Sequence, residues 1–394
     1  MLCALSAAAA LTLCGCSGVL SPDYFSTEYV VEATWEPVLS AGQSAPSDAT
    51  VRTLDALKEE LRRMVAAGES RRRIAFDSAY DGDASADMAS ACWQIRTQDA
   101  LCAYCVENIA YDVSKIVNHY EATVSITYSE AADDLESIVK LPYAADAGET
   151  LRQAMTDGQR TLVILSEHSS YSAEDMANLA VQTYRSAPAI APQEPAVTVD
   201  MISGEGTQRL YVLTFDYGLR DIDLAARQVA LLLLKPFAGA SADTLGELDR
   251  ALLACRYLAS HCRYVESADK NSVYAALIEQ EANSAGMAYA YAALCRELGL
   301  DCLIVDGEYN RVDHSWNLVS IEGDYYHVDP SVCASLGLEA GFLLNDETAW
   351  GPYRWDYFEY PHGTGTLTYR EADERAALAE PPEPDEENPD EENI

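Results

Sequence analysis

The sequence predicts an α+β protein, and three observations lead there. Stretches such as 51–67 and 221–234 place apolar residues at helical spacing. Runs such as Tyr120–Tyr128, and the pair Val197–Ile202 and Arg209–Tyr217, are β-rich and alternate as half-buried strands do. Hydrophobic residues make up 49% of the 394, enough for more than one core and too many for a mainly disordered chain.

In chain order, VRTLDALKEELRRMVAA (51–67) is expected as a helix closed by Gly68. Cys102 and Cys105 are expected as small buried residues on one helix face. The strand Tyr120–Tyr128 leads into an expected acidic helix, AADDLESIVKL (131–141). Leu162–Leu165 is an uninterrupted apolar run, the pattern of a buried strand. Ser172–Ser186 is helical, and Pro188, Pro192 and Pro195 break the chain after it. The two runs flanking SGEGTQ (203–208) form a hairpin. Helix 221–234 follows, then a further amphipathic helix over 245–263. The passages SITYSEAADDLES (125–137) and LTFDYGLRDIDLAA (213–226) share a strand-then-acidic-helix layout, a hint of internal duplication.

Acidic residues number 64 against 26 basic, a formal net charge of -38. Nucleic-acid binding needs a basic footprint to displace counterions, and that class of partner is excluded. The densest basic run, Arg71-Arg72-Arg73, reads as solvated surface.

The ends carry their own signals. Met1–Leu13 is apolar but too short for a bilayer span of about 20 residues. It fits the apolar region of a signal peptide, about 7–15 residues long. Leu13-Cys14-Gly15-Cys16 then resembles a bacterial lipobox, with Cys16 as the lipidated cysteine and Gly15 the small residue before it; Cys14 departs from the usual pattern. Residues 1–15 are thus expected as a lipoprotein signal peptide and 16–50 as a polar tether. The exported chain would be held on the outer face of the bacterial membrane by its acyl chains, of which firm anchoring takes more than one. The acidic, proline-rich segment 370–394 is expected to be a disordered tail.

Apart from Cys3, Cys14 and Cys16 there are eight cysteines: 92, 102, 105, 255, 262, 295, 302 and 333. They permit disulfides without requiring any. Cys255 and Cys262 stand about 10 Å apart on one helix, out of bonding reach. The lone Cys102–Cys105 pair has no further ligands, and His119, His168, His261, His327 and His362 lack ligand spacing, so no metal is expected.

The segment from 245 to about 361 carries the chemistry. Ser284-Ala285-Gly286-Met287-Ala288 opens a helix that Gly299 closes, and the strand 301–305 follows. His314-Ser315-Trp316-Asn317 heads the next strand, and Val328-Asp329-Pro330-Ser331 ends the one after, beyond the turn Glu322-Gly323-Asp324. This order resembles the transglutaminase-like superfamily, a branch of the papain-like cysteine-protease fold, whose members carry Cys-x-Gly-Tyr-Ala, His-Ala-Trp-Asn and Val-Asp-Pro-Thr at these places. Tyr274–Leu277 resembles the segment before the nucleophile, and Gly341–Asn345 the closing strand. The resemblance makes His314 the base, Asp329 its orienting acid and position 284 the nucleophile, with Gly286, Trp316 and Asn317 shaping the site. It implies a helix packed on an antiparallel sheet.

Position 284 is the departure. The reacting species in such a site is a thiolate, whose pKa falls at a helix N-terminus beside a histidinium. A serine forms no comparable stable alkoxide and reacts only if its proton is removed during attack. Cys295 cannot substitute, lying about 16 Å along the same helix. Ser284 also has a second reading, as the N-cap of its helix, with Asn283 able to do the same. His314 and Asp329 would lie several residues apart on a straight hairpin, so their contact is expected to need a bulge or strong coiling.

The sequence thus divides into a signal peptide (1–15), a tether (16–50), an α+β accessory region of one or two units (51–235), a transglutaminase-like domain (236–369) and an acidic tail (370–394). The expected function is a surface lipoprotein that binds peptide or protein chains, cell-wall peptides among them, in a groove whose catalysis is impaired. An active Ser284-His314-Asp329 hydrolase or acyl-transferase is the alternative. No cofactor is implied, and nothing sets an oligomeric state.

Overall fold

The computed structural model describes residues 49–129, 135–234 and 245–379. The expected signal peptide, the Cys16 lipidation site and nearly all of the tether lie outside these residues, as does 380–394.

Two units of like topology come first. One runs β1 (Ala49–Val51), α1 (Leu54–Ala66), β2 (Arg71–Phe76), α2 (Ala84–Gln98), α3 (Ala100–Cys105), β3 (Val106–Ile116) and β4 (His119–Tyr128). The other runs β5 (Val139–Tyr143), α4 (Gly148–Thr156), β6 (Thr161–His168), α5 (Ala173–Arg185), β7 (Ala196–Ser203) and β8 (Arg209–Asp216), and α6 (Ile222–Leu234) follows it. The sheets are ordered β1-β2-β4-β3 and β5-β6-β8-β7. In each, the first two strands pair parallel and the remaining pairs are antiparallel. The strand portions of the matching passages, 125–128 and 213–216, fall at the ends of β4 and β8, equivalent places in the two sheets.

The third part comprises α7 (Glu247–His261), β9 (Arg263–Tyr264), β10 (Glu281–Ala282), α8 (Ser284–Glu297), β11 (Cys302–Tyr309), β12 (Val312–Ile321), β13 (Asp324–Val328), α9 (Pro330–Leu336), α10 (Leu338–Gly341), α11 (Asp346–Ala349), β14 (Tyr353–Trp355) and α12 (Tyr369–Ala379). Its sheet is ordered β13-β12-β11-β14, wholly antiparallel.

Strand alternation explains how the parts join. On β6, Leu162 and Ile164 face a core shared with α7 and α8, while Val163 and Leu165 face the core of the first unit. On β8, Tyr211, Leu213 and Phe215 take the first side and Leu210 the second. The middle strands are buried on both faces, which is why 162–165 is uninterruptedly apolar. On β12, Val319 and Ile321 join the shared core, while Trp316 and Leu318 join a small cluster with Val305 and Tyr353 on the opposite face.

Several expectations differ from what forms. Within the expected helix 131–141, Val139–Leu141 belongs to β5 and pairs with β6, because parallel pairing offers its alternating residues a buried neighbour. The run Arg71–Arg73 lies in β2, where Arg72 forms ion pairs with Glu60 and Glu69 rather than facing open solvent. Gly341–Asn345 is not a closing strand: Leu344 makes only an isolated bridge to His327, and β14 closes the sheet instead. The expected tail begins with structure, since α12 buries Ala372 fully and pairs Asp373 with Arg256 of α7. All eight cysteines among the described residues are free thiols.

Candidate functional site

The site is built where the head of α8 meets β12. Asn283 caps the helix, accepting the Gly286 N–H at 3.0 Å, so Ser284 is the first helical residue and not the cap. Gly286 is required by close approach, since a Cβ there would sit 2.6 Å from the Lys270 carbonyl oxygen and 2.9 Å from the Ser272 nitrogen.

Glu322 and Gly323, at φ 55° and 91°, form the two-residue turn between β12 and β13. Pairing of these strands stops at Asn317 opposite Val328. Two consequences follow. Ser315 lies past the end of the partner strand, and its N–H donates to Ser284 Oγ at 3.3 Å. Asp329 falls opposite Trp316, two residues from His314 and on its face, and such diagonal neighbours are within side-chain reach. His314 Nε2 meets Asp329 Oδ2 at 2.8 Å, so the contact needs no bulge, contrary to expectation.

Asp329 is 1% exposed, yet its carboxylate is fully occupied. Oδ2 also accepts the Tyr353 hydroxyl at 2.9 Å, and Oδ1 accepts the Ser331 N–H, the Val332 N–H and the Ser331 hydroxyl at 3.0, 3.0 and 2.7 Å. Because the carboxylate only accepts, His314 Nε2 is the donor in this hydrogen bond, and Nδ1 is the ring nitrogen not engaged by Asp329. The ring lies against Tyr309, with centroids 5.3 Å apart. No hydrogen bond joins Ser284 Oγ to the imidazole among the described residues. Next to His314, then, stand an orienting acid and a helix-head hydroxyl that is held by a backbone amide.

Trp316 and Asn317 act behind this surface. The Trp316 Nε1–H donates to His327 Nδ1 at 2.9 Å, and His327 Nε2 meets Asp346 Oδ1 at 2.9 Å. Burial pushes the His327 imidazole below its ordinary value, with the Asp346 hydrogen bond opposing the shift. Asn317 Nδ2 donates to the Ala288 carbonyl at 3.0 Å, tying β12 to α8. The sequence reading did not find Tyr353, which holds Asp329, or the His327–Asp346 pair. Ser331 stood in the quoted motif without a role. Tyr353 comes 24 residues after Asp329, with no local spacing to mark it. No group of potential metal ligands occurs among the described residues, and no helix there is long and apolar enough to cross a membrane.

Residues 235–330 match the family model of the transglutaminase-like superfamily. No curated protein matches the chain. Among solved structures, a TGase is similar at 14% identity and a TM-score of 0.25, over 43% of this chain and 51% of that one. A candidate cysteine protease from Cytophaga hutchinsonii is similar at 14% identity and a TM-score of 0.22, over 34% of this chain and 62% of that one. The chain thus spans about half the length of the TGase.

Proposed function

We propose that the transglutaminase-like domain carried by residues 235–330 is a binding domain rather than a working enzyme. It would take an extended peptide or protein chain along the junction where the head of α8 meets β12, on the outer face of the membrane to which Cys16 tethers it. The observation that carries this reading is the state of position 284. An oxygen stands where the resemblance calls for a sulfur, and that oxygen accepts the Ser315 N–H and has no hydrogen bond to the imidazole among the described residues. A hydroxyl there must lose its proton to a base during attack, and a misplacement of about 1 Å costs on the order of 100-fold in rate. Of the His314–Asp329 pair, His314 is 9% exposed and Asp329 1%, so the imidazole is the group a peptide backbone would meet.

The mature chain, treated with a fluorophosphonate probe and separately with a labelled amine plus casein, is expected to show no labelling at Ser284 and no amine incorporation. Labelling that disappears in Ser284→Ala would establish the serine hydrolase or acyl-transferase instead. Because the His–Asp half is assembled, Ser284→Cys is expected to give a thiol that iodoacetamide alkylates faster near neutral pH than an ordinary cysteine.

A further inference from the structure

The second unit reaches the site through a chain of polar contacts centred on Arg185. Arg185, in the last turn of α5, places its guanidinium 2.8 Å from Asp306 Oδ2 on β11 and 3.8 Å from Glu194. Glu194 accepts the hydroxyl of Tyr289, a buried residue of α8, at 2.8 Å. The other oxygen of Asp306 accepts the Ser315 hydroxyl at 2.7 Å. Ser315 is the residue whose N–H holds Ser284 Oγ, and its neighbour in the chain is His314. Arg185 therefore straps α8 to β11 where the helix head meets β12. A second tie lies close by, the Tyr274 N–H donating to the Pro192 carbonyl at 2.9 Å. A half-exposed ion pair alone contributes little to stability. Its effect here is geometric, because the strap ends on the strand segment that fixes position 284.

We propose that Arg185 is a positioning residue of the site, acting through Asp306 and Ser315 on the atom that stands at position 284. This rests on reading Ser284, His314 and Asp329 as one site. Arg185 thus brings a side chain of the second unit into the support of this site.

The test uses the full mature chain carrying Ser284→Cys. Alkylation by iodoacetamide is followed at position 284 by peptide mass spectrometry across pH. Adding Arg185→Ala or Asp306→Ala is expected to slow alkylation about tenfold near neutral pH and to move the pH midpoint upward in both cases. Arg185→Lys should recover part of the rate. A pure charge effect would move the midpoints in opposite directions, since one change removes a cation and the other an anion. Opposite shifts, or unchanged profiles, would overturn the proposal. If the thiol reacts as slowly as an ordinary one with Arg185 in place, the assembled-machinery reading fails separately. Hydrogen exchange at the Ser315 amide, with serine at 284, then decides the role of Arg185. Exchange about tenfold faster in Arg185→Ala upholds it, and unchanged protection sinks it.

Discussion

Asp329 collects donors from His314, Tyr353 and Ser331 side chains and from two backbone amides, while almost wholly removed from water. Asp329→Ala removes this acceptor from all of them and leaves His314 Nε2 with only its longer contact to Ser331 Oγ, at 3.3 Å. Unmade buried hydrogen bonds cost about 1–3 kcal/mol each before relaxation, so a loss of at least about 2 kcal/mol in urea unfolding is expected. Asp329→Asn, which keeps the shape, should lose less. His327 makes a second residue-scale prediction. Its folded pKa lies below the ordinary 6.5, so the unfolded chain takes up this proton first as pH falls. The stability it supports is present above about pH 6.5 and declines as pH drops below that value. Unfolding midpoints measured from pH 7 to pH 5 should fall in the unaltered chain, and His327→Gln should flatten the slope.

At the scale of elements, the head of α8 is held by a cap and a glycine. Asn283→Ala is expected to cost about 0.5–2 kcal/mol through the lost cap. Gly286→Ala is expected to cost about 1–3 kcal/mol, because backbone rather than a flexible side chain lies in the way. Thermal unfolding checks both, and an unchanged midpoint in either would contradict the packing described. The local pieces were legible in the sequence: the glycine two residues past Ser284, the hairpin turn at 322–323, and the His314 and Asp329 strands. What fixes each side chain was not. Tyr353 reaches Asp329 only because β14 pairs at the far edge of the sheet, and Arg185 reaches Asp306 across 121 residues. Tertiary packing sets such partners, with no periodicity to announce them. Val139–Leu141 shows the same limit, since an acidic helical pattern gave way to a strand once a neighbour was available.

At the scale of the molecule, the second unit and the transglutaminase-like domain share one core. Tyr184 and Tyr289 meet edge to face at 5.6 Å across that boundary, both buried. A fragment beginning at residue 245 would expose this surface, and it is expected to show no cooperative thermal transition by circular dichroism. A fragment from residue 139 should retain one. Sequence composition announced several cores, and the duplicated layout gave a trace of itself in two passages. That one sheet serves two cores could be read only from strands whose consecutive residues point opposite ways. The single-file order has a mechanical side. If the chain is tethered near residue 49 and a ligand is gripped at His314, tension between them runs through every layer in turn. Rupture would begin at whichever layer crosses its unfolding barrier fastest, and the length of chain it releases would lower the pull on the groove until that length is drawn taut.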